Sequence, residues 1–386
     1  MPTSPHPNRP LALLGGLTPA EFMRRHWQKR PLLIRRALAA PFRFLSRARL
    51  FSLARSADVE SRLVLRTGLG GWTLAHGPFA RGALPPRAKP RWTLLVQGVD
   101  LHDQSARELL DEFRFVPDAR LDDVMVSFAT DGGGVGPHVD SYDVFLLQAQ
   151  GRRRWRIARR FDAALRRDAP LKVLRRFAAE QEHLLDAGDM LYLPPGWAHD
   201  GVAEGSGDCM TFSIGFRAPR RTDLGIDLLE RLLDGAAGGD GPLYADPKQS
   251  ATRMPARIPT PLVAFAVDAA RRLVASERDL KRALGEALTR RKPNVRFDAR
   301  PRRWRNAGVS LDLRTAMLYD DEHLFVNGES RRVASKDAAS LRRLADRRRL
   351  DDRAVAAASP AAKALLREWL RAGWLRLEPD SPRRTR

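Results

Sequence analysis

Residues 132–157 read GGGVGPHVDSYDVFLLQAQGRRRWRI, and both the fold and the chemistry of the chain turn on this stretch. A glycine-rich approach leads through Pro137 to His138 and Asp140, which flank Val139. Two strand-like runs, the mainly apolar VFLLQAQ and the arginine-rich RRRWRI, follow on either side of Gly151. Alternate side chains of a strand share a face, so His138 and Asp140 project together while Val139 turns away. An imidazole and a carboxylate side by side give a metal two adjacent ligands and leave half its coordination sphere free. The third ligand is read in GDMLYLPPGWAHDG (188–201), where an apolar strand and a sharp PPGW turn precede His199. Two histidines and one carboxylate on one face, with the opposite positions open, suit a non-haem Fe(II) centre. A 2-oxo acid can chelate two of those positions and leave one for O₂. The H-x-D triplet and a lone histidine are each weak signals; their joint context carries the reading. The remaining histidines lack that context. His26, beside Trp27, is read as structural, and His76 in AHGPF stays open as a turn residue near the site.

Working outward, residues from about 116 to 217 form many short strands separated by Gly, Pro or Asp-Gly turns: DVMVSFA, RRRWRIA, DMLYL and CMTFSIGFR among them. This pattern predicts an antiparallel barrel or jelly roll. Ahead of it, TPAEFMRRHWQK (18–29) predicts a helix capped by Thr18 with Glu21 completing a capping box, followed by a short strand, LLI. WTLLVQGV (92–99) predicts a strand and SARELLDEFRF (105–115) a helix. Beyond 218 the character changes. LGIDLLERLLDG predicts a helix, 236–250 a loop, and 260–291 two amphipathic helices. From about 293 a β-ribbon turned at Asn327-Gly328, with helices at 336–346 and 360–372, fits a winged-helix module. The C-terminal SPRRTR is expected to be disordered.

Composition is that of a chain with a real core: 386 residues, 43% hydrophobic and 30% charged. No stretch approaches the roughly 18–20 apolar residues of a membrane helix. The N-terminus lacks the basic start and cleavage site of a secretory signal, and a single cysteine, Cys209, rules out an internal disulfide; a cytoplasmic protein is expected. The charge is unusual. Sixty-eight Lys and Arg against 46 Asp and Glu leave +22, which favours polyanions, RNA above all, although the excess is spread along the whole chain.

These motifs together resemble the JmjC-type ribosomal oxygenases, in particular the bacterial ribosomal protein arginine hydroxylases. The resemblance rests on GGGVGPHVDSYDVFLLQAQGRRRWRI and LYLPPGWAHDG, with WQKRPLLI and SIGFRAP also similar, and covers most of residues 18–218. It implies a mainly β catalytic unit, a double-stranded β-helix (jelly roll, cupin) over 1–218. A helical dimerisation region over 219–292 and a winged-helix domain over 293–386 would follow. It also implies Fe(II) held by His138, Asp140 and His199, with 2-oxoglutarate and O₂ as co-substrates. Arg153 would grip the distal carboxylate of 2-oxoglutarate. Alternation supports this assignment independently, because Arg153 and Trp155 share one strand face while Arg152, Arg154 and Arg156 share the other.

The resemblance further implies a substrate pocket beside the metal. Asp123, Met125 and Ser127 alternate along one strand, so Asp123 could pair with an arginine guanidinium while Met125 and Tyr142 pack its methylene stem. A one-residue slip would offer Asp122 instead, and Asp143 and Asp200 are further acidic candidates. The implied reaction is hydroxylation of the β-carbon of an arginine in a large-subunit ribosomal protein, by a homodimer. Two alternatives remain open: the same chemistry on RNA or on a histidine of another ribosomal protein, and a non-catalytic RNA-associated cupin scaffold. For the two helices at 260–291, a bundle packed within one chain is the alternative to a dimer interface.

Overall fold

The computed structural model describes residues 5–38, 45–67, 71–236, 242–245, 258–299, 304, 307–333 and 335–378. SPRRTR and most of the 236–250 stretch, expected as tail and loop, lie outside them. The N-terminal part contributes α1 (Pro19–Arg25), β1 (Leu32–Ile34), α2 (Arg47–Leu53), β2 (Ser61–Arg66), β3 (Trp72–His76), β4 (Trp92–Val96) and α3 (Gln104–Asp111). α1 starts with the predicted capping box: Glu21 N donates to Thr18 Oγ1, and Thr18 N donates back to the Glu21 carboxylate. It stops at Arg25, short of Lys29, because the backbone leaves helical geometry at His26, whose ring meets Pro31 O at 3.2 Å.

Eight strands follow: β5 (Leu121–Ala129), β6 (His138–Val139), β7 (Val144–Gln150), β8 (Arg152–Ala158), β9 (Gln181–Leu185), β10 (Met190–Leu193), β11 (Ala198–Glu204) and β12 (Cys209–Phe216). They and the N-terminal strands form two antiparallel sheets, an eight-stranded one ordered β1-β10-β7-β12-β5-β4-β2-β3 and a four-stranded one ordered β6-β11-β8-β9. The chain passes back and forth between the two, giving the expected double-stranded β-helix.

Alternation sets the layers. Trp92, Leu94 and Val96 of β4, Val124, Val126 and Phe128 of β5, and Phe212, Ile214 and Phe216 of β12 pack with Phe22, Leu109 and Phe113 of the helical cover. The residues between them, including Thr93, Asp123, Met125, Ser127, Thr211 and Ser213, face the four-stranded sheet and line a cavity between the two layers.

Beyond the β-helix lie α4 (Arg221–Ala236), α5 (Thr260–Leu273) and α6 (Glu277–Leu288). The C-terminal part holds β13 (Val309–Leu311), β14 (Met317–Tyr319), β15 (His323–Val326), β16 (Glu329–Arg332), α7 (Ser335–Arg347), β17 (Arg349–Leu350), α8 (Asp352–Ala357), α9 (Pro360–Arg371) and β18 (Leu375–Leu377). VSLDLRTAMLY, read as one ribbon arm, is broken. VSL joins β17 and β18, while MLY pairs with β15. Asp312 forces the break: it is buried, salt-bridged to Arg314 and Arg376, and followed by Thr315, whose hydroxyl donates to Trp374 O. Asn327 and Gly328, at φ 52° and 90°, make the expected turn between β15 and β16. α6 lies against this ribbon as well as beside α4. A Cβ on Gly285 would fall 2.3 Å from the Phe325 ring, so packing continues across residue 292. No helix among the described residues is long and apolar enough to cross a membrane.

Candidate active site

The glycine run that opens the motif is needed because backbones meet there. A Cβ on Gly134 would sit 2.5 Å from Gly201 O, and Gly136, at φ +83°, lies under the Trp72 ring. This close approach brings β6 onto β11, where His138 and His199 are directly opposed. The strand ends at Val139, so Asp140 and Tyr142 stand in the bend before β7, and strand alternation does not set their directions. Even so, Asp140 joins the pair: its Oδ2 is 4.0 Å from His138 Nε2 and 3.6 Å from His199 Nε2.

Each Nδ1 meets a backbone carbonyl, Gly136 O for His138 (2.9 Å) and Trp197 O for His199 (3.0 Å). That leaves both Nε2 atoms facing the carboxylate. His199 is buried, and desolvation, then the charge of His138, holds its imidazole well below the usual range despite Asp140; it is neutral, as a ligand must be. The three donor atoms lie within 4.8 Å of one another. Adjacent ligands at roughly 2.1 Å from one ion sit roughly 3 Å apart, so the Asp140 oxygen has to close on the two nitrogens by about 1 Å or less to seat a metal.

The triad opens into a cavity of about 290 Å³ whose lining also includes Arg153, Trp155, Thr93, Asp122, Asp123, Met125 and Tyr142. Arg153, on β8, is buried. Its Nη1 reaches Gly201 O at 3.4 Å, while Nε and Nη2 have no hydrogen-bond partner among the described residues. A buried guanidinium with two idle donors calls for an anionic ligand. The hydroxyl of Thr93, buried in the same cavity wall, is likewise without a partner. Arg154 and Arg156 on the other face of β8 are taken up by Glu204, Glu182 and Asp200.

Across the cavity, β5 and β12 shift register between Ile214 and Phe216. This irregularity lies opposite Asp122 and Asp123 and lets both carboxylates reach the lining. Asp123 is the buried one. Its Oδ2 accepts from Gln97 Nε2 (2.8 Å) and Gly98 N (3.0 Å). Burial raises its carboxyl to about 6, Lys292 opposing and Asp122 and Asp100 adding to the rise. Tyr142 stands at the mouth; burial and the charges of Asp140, Asp123 and Asp122 push its phenol up, so it remains a donor.

Three candidates move away from the site. Asp143 is buried against Tyr192 Oη (2.6 Å) and Gln28 Nε2 (3.1 Å), tying α1's exit to β10. Asp200 pairs with Arg156 on the far face of β11. His76 ends β3 at the edge of the large sheet and is not among the metal-capable residues. Conversely, sequence reading missed Thr93 and Lys292. The alternation of WTLLV carried the signal for Thr93. Lys292 is brought in from the far side of α6, and nothing local announced it.

Residues 108–224 match the JmjC domain model and residues 272–376 the ROXA-like winged helix model. The chain is 39% identical over 228 residues to the ribosomal protein uL16 3-hydroxylase of Escherichia coli (strain K12), covering 59% of each chain; it thus spans under two thirds of that curated relative's length. A crystal structure of the Escherichia coli ribosomal oxygenase YcfD superposes with a TM-score of 0.78 at 30% identity, over 94% of this chain and 98% of that one. YcfD in complex with cobalt and 2-oxoglutarate superposes equally well, with a TM-score of 0.78 at 29% identity, over 94% and 99%.

Proposed function

The chain belongs to the JmjC-type ribosomal oxygenases, and from that premise we propose that it uses Fe(II), 2-oxoglutarate and O₂ to hydroxylate the β-carbon of an arginine in a large-subunit ribosomal protein. The observation that carries the reading is one cavity holding three things: the His138–Asp140–His199 triad, the idle donors of Arg153, and the Asp122–Asp123 pair. Bound Fe(II) with 2-oxoglutarate supplies the oxidising power needed to place one O₂ oxygen on an unactivated C–H bond. The protein's own task is geometric. His138 Nε2, His199 Nε2 and Asp140 Oδ2 hold the metal, and the two Nδ1–carbonyl contacts fix the rings. Arg153 takes the distal carboxylate of 2-oxoglutarate as a bidentate fork. Asp123 receives the substrate guanidinium, and Met125 and Tyr142 pack on the methylene stem, so that the β-carbon faces the metal and water is kept away.

The organisation that goes with this reading is a catalytic unit over 1–218, a helical dimerisation region over 219–292 and a winged-helix domain over 293–386, acting in the cytoplasm. A homodimer is supported by apolar side chains left exposed on α4 (Ile226, Leu229, Leu233) and α5 (Val263, Val267). Light scattering on the purified chain tests it. The +22 charge favours a second reading, the same chemistry on RNA or on a histidine of another ribosomal protein. A scaffold without catalysis has no use for a buried, idle Arg153.

The deciding experiment is mass spectrometry of ribosomal proteins and arginine-bearing peptides after anaerobic Fe(II) loading and addition of 2-oxoglutarate and O₂. A one-oxygen mass gain on an arginine, absent in His138→Ala, is expected. Iron-dependent succinate formation with no modified arginine would move the target to histidine or RNA, and no turnover at all would favour the scaffold.

A further inference from the structure

We propose that Lys292 is a resident counter-cation: its ammonium offsets part of the charge of the Asp122–Asp123 pair in the free enzyme and competes electrostatically with an incoming substrate guanidinium. The proposal rests on the reading of Asp123 as the cation acceptor and adds a specificity-setting residue to it.

Lys292 comes from outside the catalytic sheets, in the segment after α6. That segment is stitched onto the catalytic unit on both sides: Arg217 Nη1 donates to Leu288 O (2.8 Å), and Asn294 Nδ2 donates to Asp58 O (2.8 Å). The result lays Nζ 3.2 Å from Asp122 Oδ1 and 3.7 Å from Asp123 Oδ2. The charged groups around the pair include Asp100 behind it, Arg217 at 3.6 Å from Asp122, and Arg62 and Asp140 in the cavity lining. Arg107 and Arg290 lie beside Lys292, and the neutral phenol of Tyr142 also lines the cavity. Gln97 and Gly98 occupy Asp123 Oδ2. Oδ1 carries no hydrogen bond among the described residues and lies towards Gly215. An incoming guanidinium therefore finds an open oxygen on a carboxylate whose charge is already partly offset. The Lys292 side chain is 36% exposed, so it can leave for water without crossing the core.

The sign of the effect follows from linkage. Removing a neighbouring cation strengthens the attraction of Asp123 for any other cation, protons included. Well above the titration of Asp123 the site is empty of protons, and the whole gain goes to the guanidinium. Below it, the proton takes the vacated place and the gain disappears. A tethered cation thus weakens every cationic ligand alike, so that only one making further contacts with Met125, Tyr142 and the metal side is retained.

The test uses the full chain loaded with Fe(II) and 2-oxoglutarate under anaerobic conditions, with methylguanidinium as the probe and calorimetry between pH 5 and pH 8.5. Lys292→Met is expected to bind the probe about tenfold more tightly than wild type at pH 8.5, with the difference vanishing near pH 5. Lys292→Arg, which keeps the charge, is expected to bind like wild type. Equal or weaker binding by Lys292→Met at pH 8.5 would overturn the proposal and make Lys292 a structural staple. The arginine reading itself fails separately: an Asp123→Asn variant that binds the probe as well as wild type would remove Asp123 as the acceptor, whatever Lys292 does.

Discussion

His138 and His199 are directly opposed across the β6–β11 pair, with ring centroids 4.2 Å apart and both Nδ1 atoms engaged by carbonyls two residues earlier in the chain. A cross-strand pair of this kind fixes the two nitrogens before any metal arrives, and Asp140 closes the set from a bend. Asp140→Ala is therefore expected to lower metal affinity by more than the ~100-fold that loss of an outer hydrogen-bond partner costs, and to end 2-oxoglutarate turnover. Titration with Co(II), followed by absorbance, reads the first effect. Retained tight binding would remove Asp140 from the ligand set.

Arg153 makes a different prediction because its burial is unfavourable without a partner. With Nε and Nη2 idle, Arg153→Met should leave the melting temperature unchanged or raise it when no 2-oxoglutarate is present. The same variant should lose the stabilisation that 2-oxoglutarate gives wild type, about 2.7 kcal/mol at a hundredfold excess over Kd. Arg153→Lys should not restore it, since an ammonium lacks the planar fork. Thermal melts with and without 2-oxoglutarate check all three; a melting temperature that 2-oxoglutarate raises equally in Arg153→Met would reject the assignment.

The two halves of this site were not equally legible. Period-two alternation identified the cavity faces of β5 and β8, and with them Asp123, Met125 and Arg153, because the opposite face of β5 packs on apolar neighbours and that of β8 carries arginines paired with carboxylates. The Asn327-Gly328 turn and the Thr18 capping box were legible because their residues dictate backbone conformation locally. Asp143 misled because sequence proximity to Asp140 says nothing about direction once the strand has ended at Val139. The break of VSLDLRTAMLY was hidden for a related reason. Asp312 reads as a solvent-facing residue until Arg376, more than sixty positions on, is known to bury it. Lys292 was out of reach altogether, since its role depends on how α6 docks.

Asp123 is predicted to trade stability for function. Its carboxyl lies near 6 in the folded chain against an ordinary 3.8, so the unfolded state ionises first as pH rises. Below the lower value both states are protonated and there is no penalty; between the two values stability falls, and above about 6 the whole cost is present. Asp123→Asn keeps an acceptor for Gln97 and Gly98, and should raise stability at pH 8 by up to about 2–3 kcal/mol, with little gain at pH 4. Guanidinium binding should be lost in the same variant. Melts across this pH range decide it, and a pH-independent difference would mean that the stabilisation comes from something other than the charge.

The last prediction concerns how the four-stranded sheet supports the cavity floor. Gly201 pairs with Trp155 across β11 and β8, and a Cβ on Gly201 would lie 2.6 Å from the Trp155 ring. That ring adjoins both functional groups, its centroid 5.9 Å from that of His199 and 5.8 Å from the Arg153 guanidinium carbon. Gly201→Ala must push the indole, because the opposing atoms are ring carbons of Trp155, itself buried. Overpacking of this kind costs about 1–3 kcal/mol. The displaced ring should raise the KM for 2-oxoglutarate, because Arg153 moves with it, while metal affinity changes little, because both histidine rings are fixed by their own carbonyl contacts. Adding Trp155→Phe to Gly201→Ala restores room and should recover part of both losses, a coupling that a double-mutant cycle measures directly. Strictly additive effects of the two substitutions would show that the indole is not what transmits the change at residue 201 to the cavity.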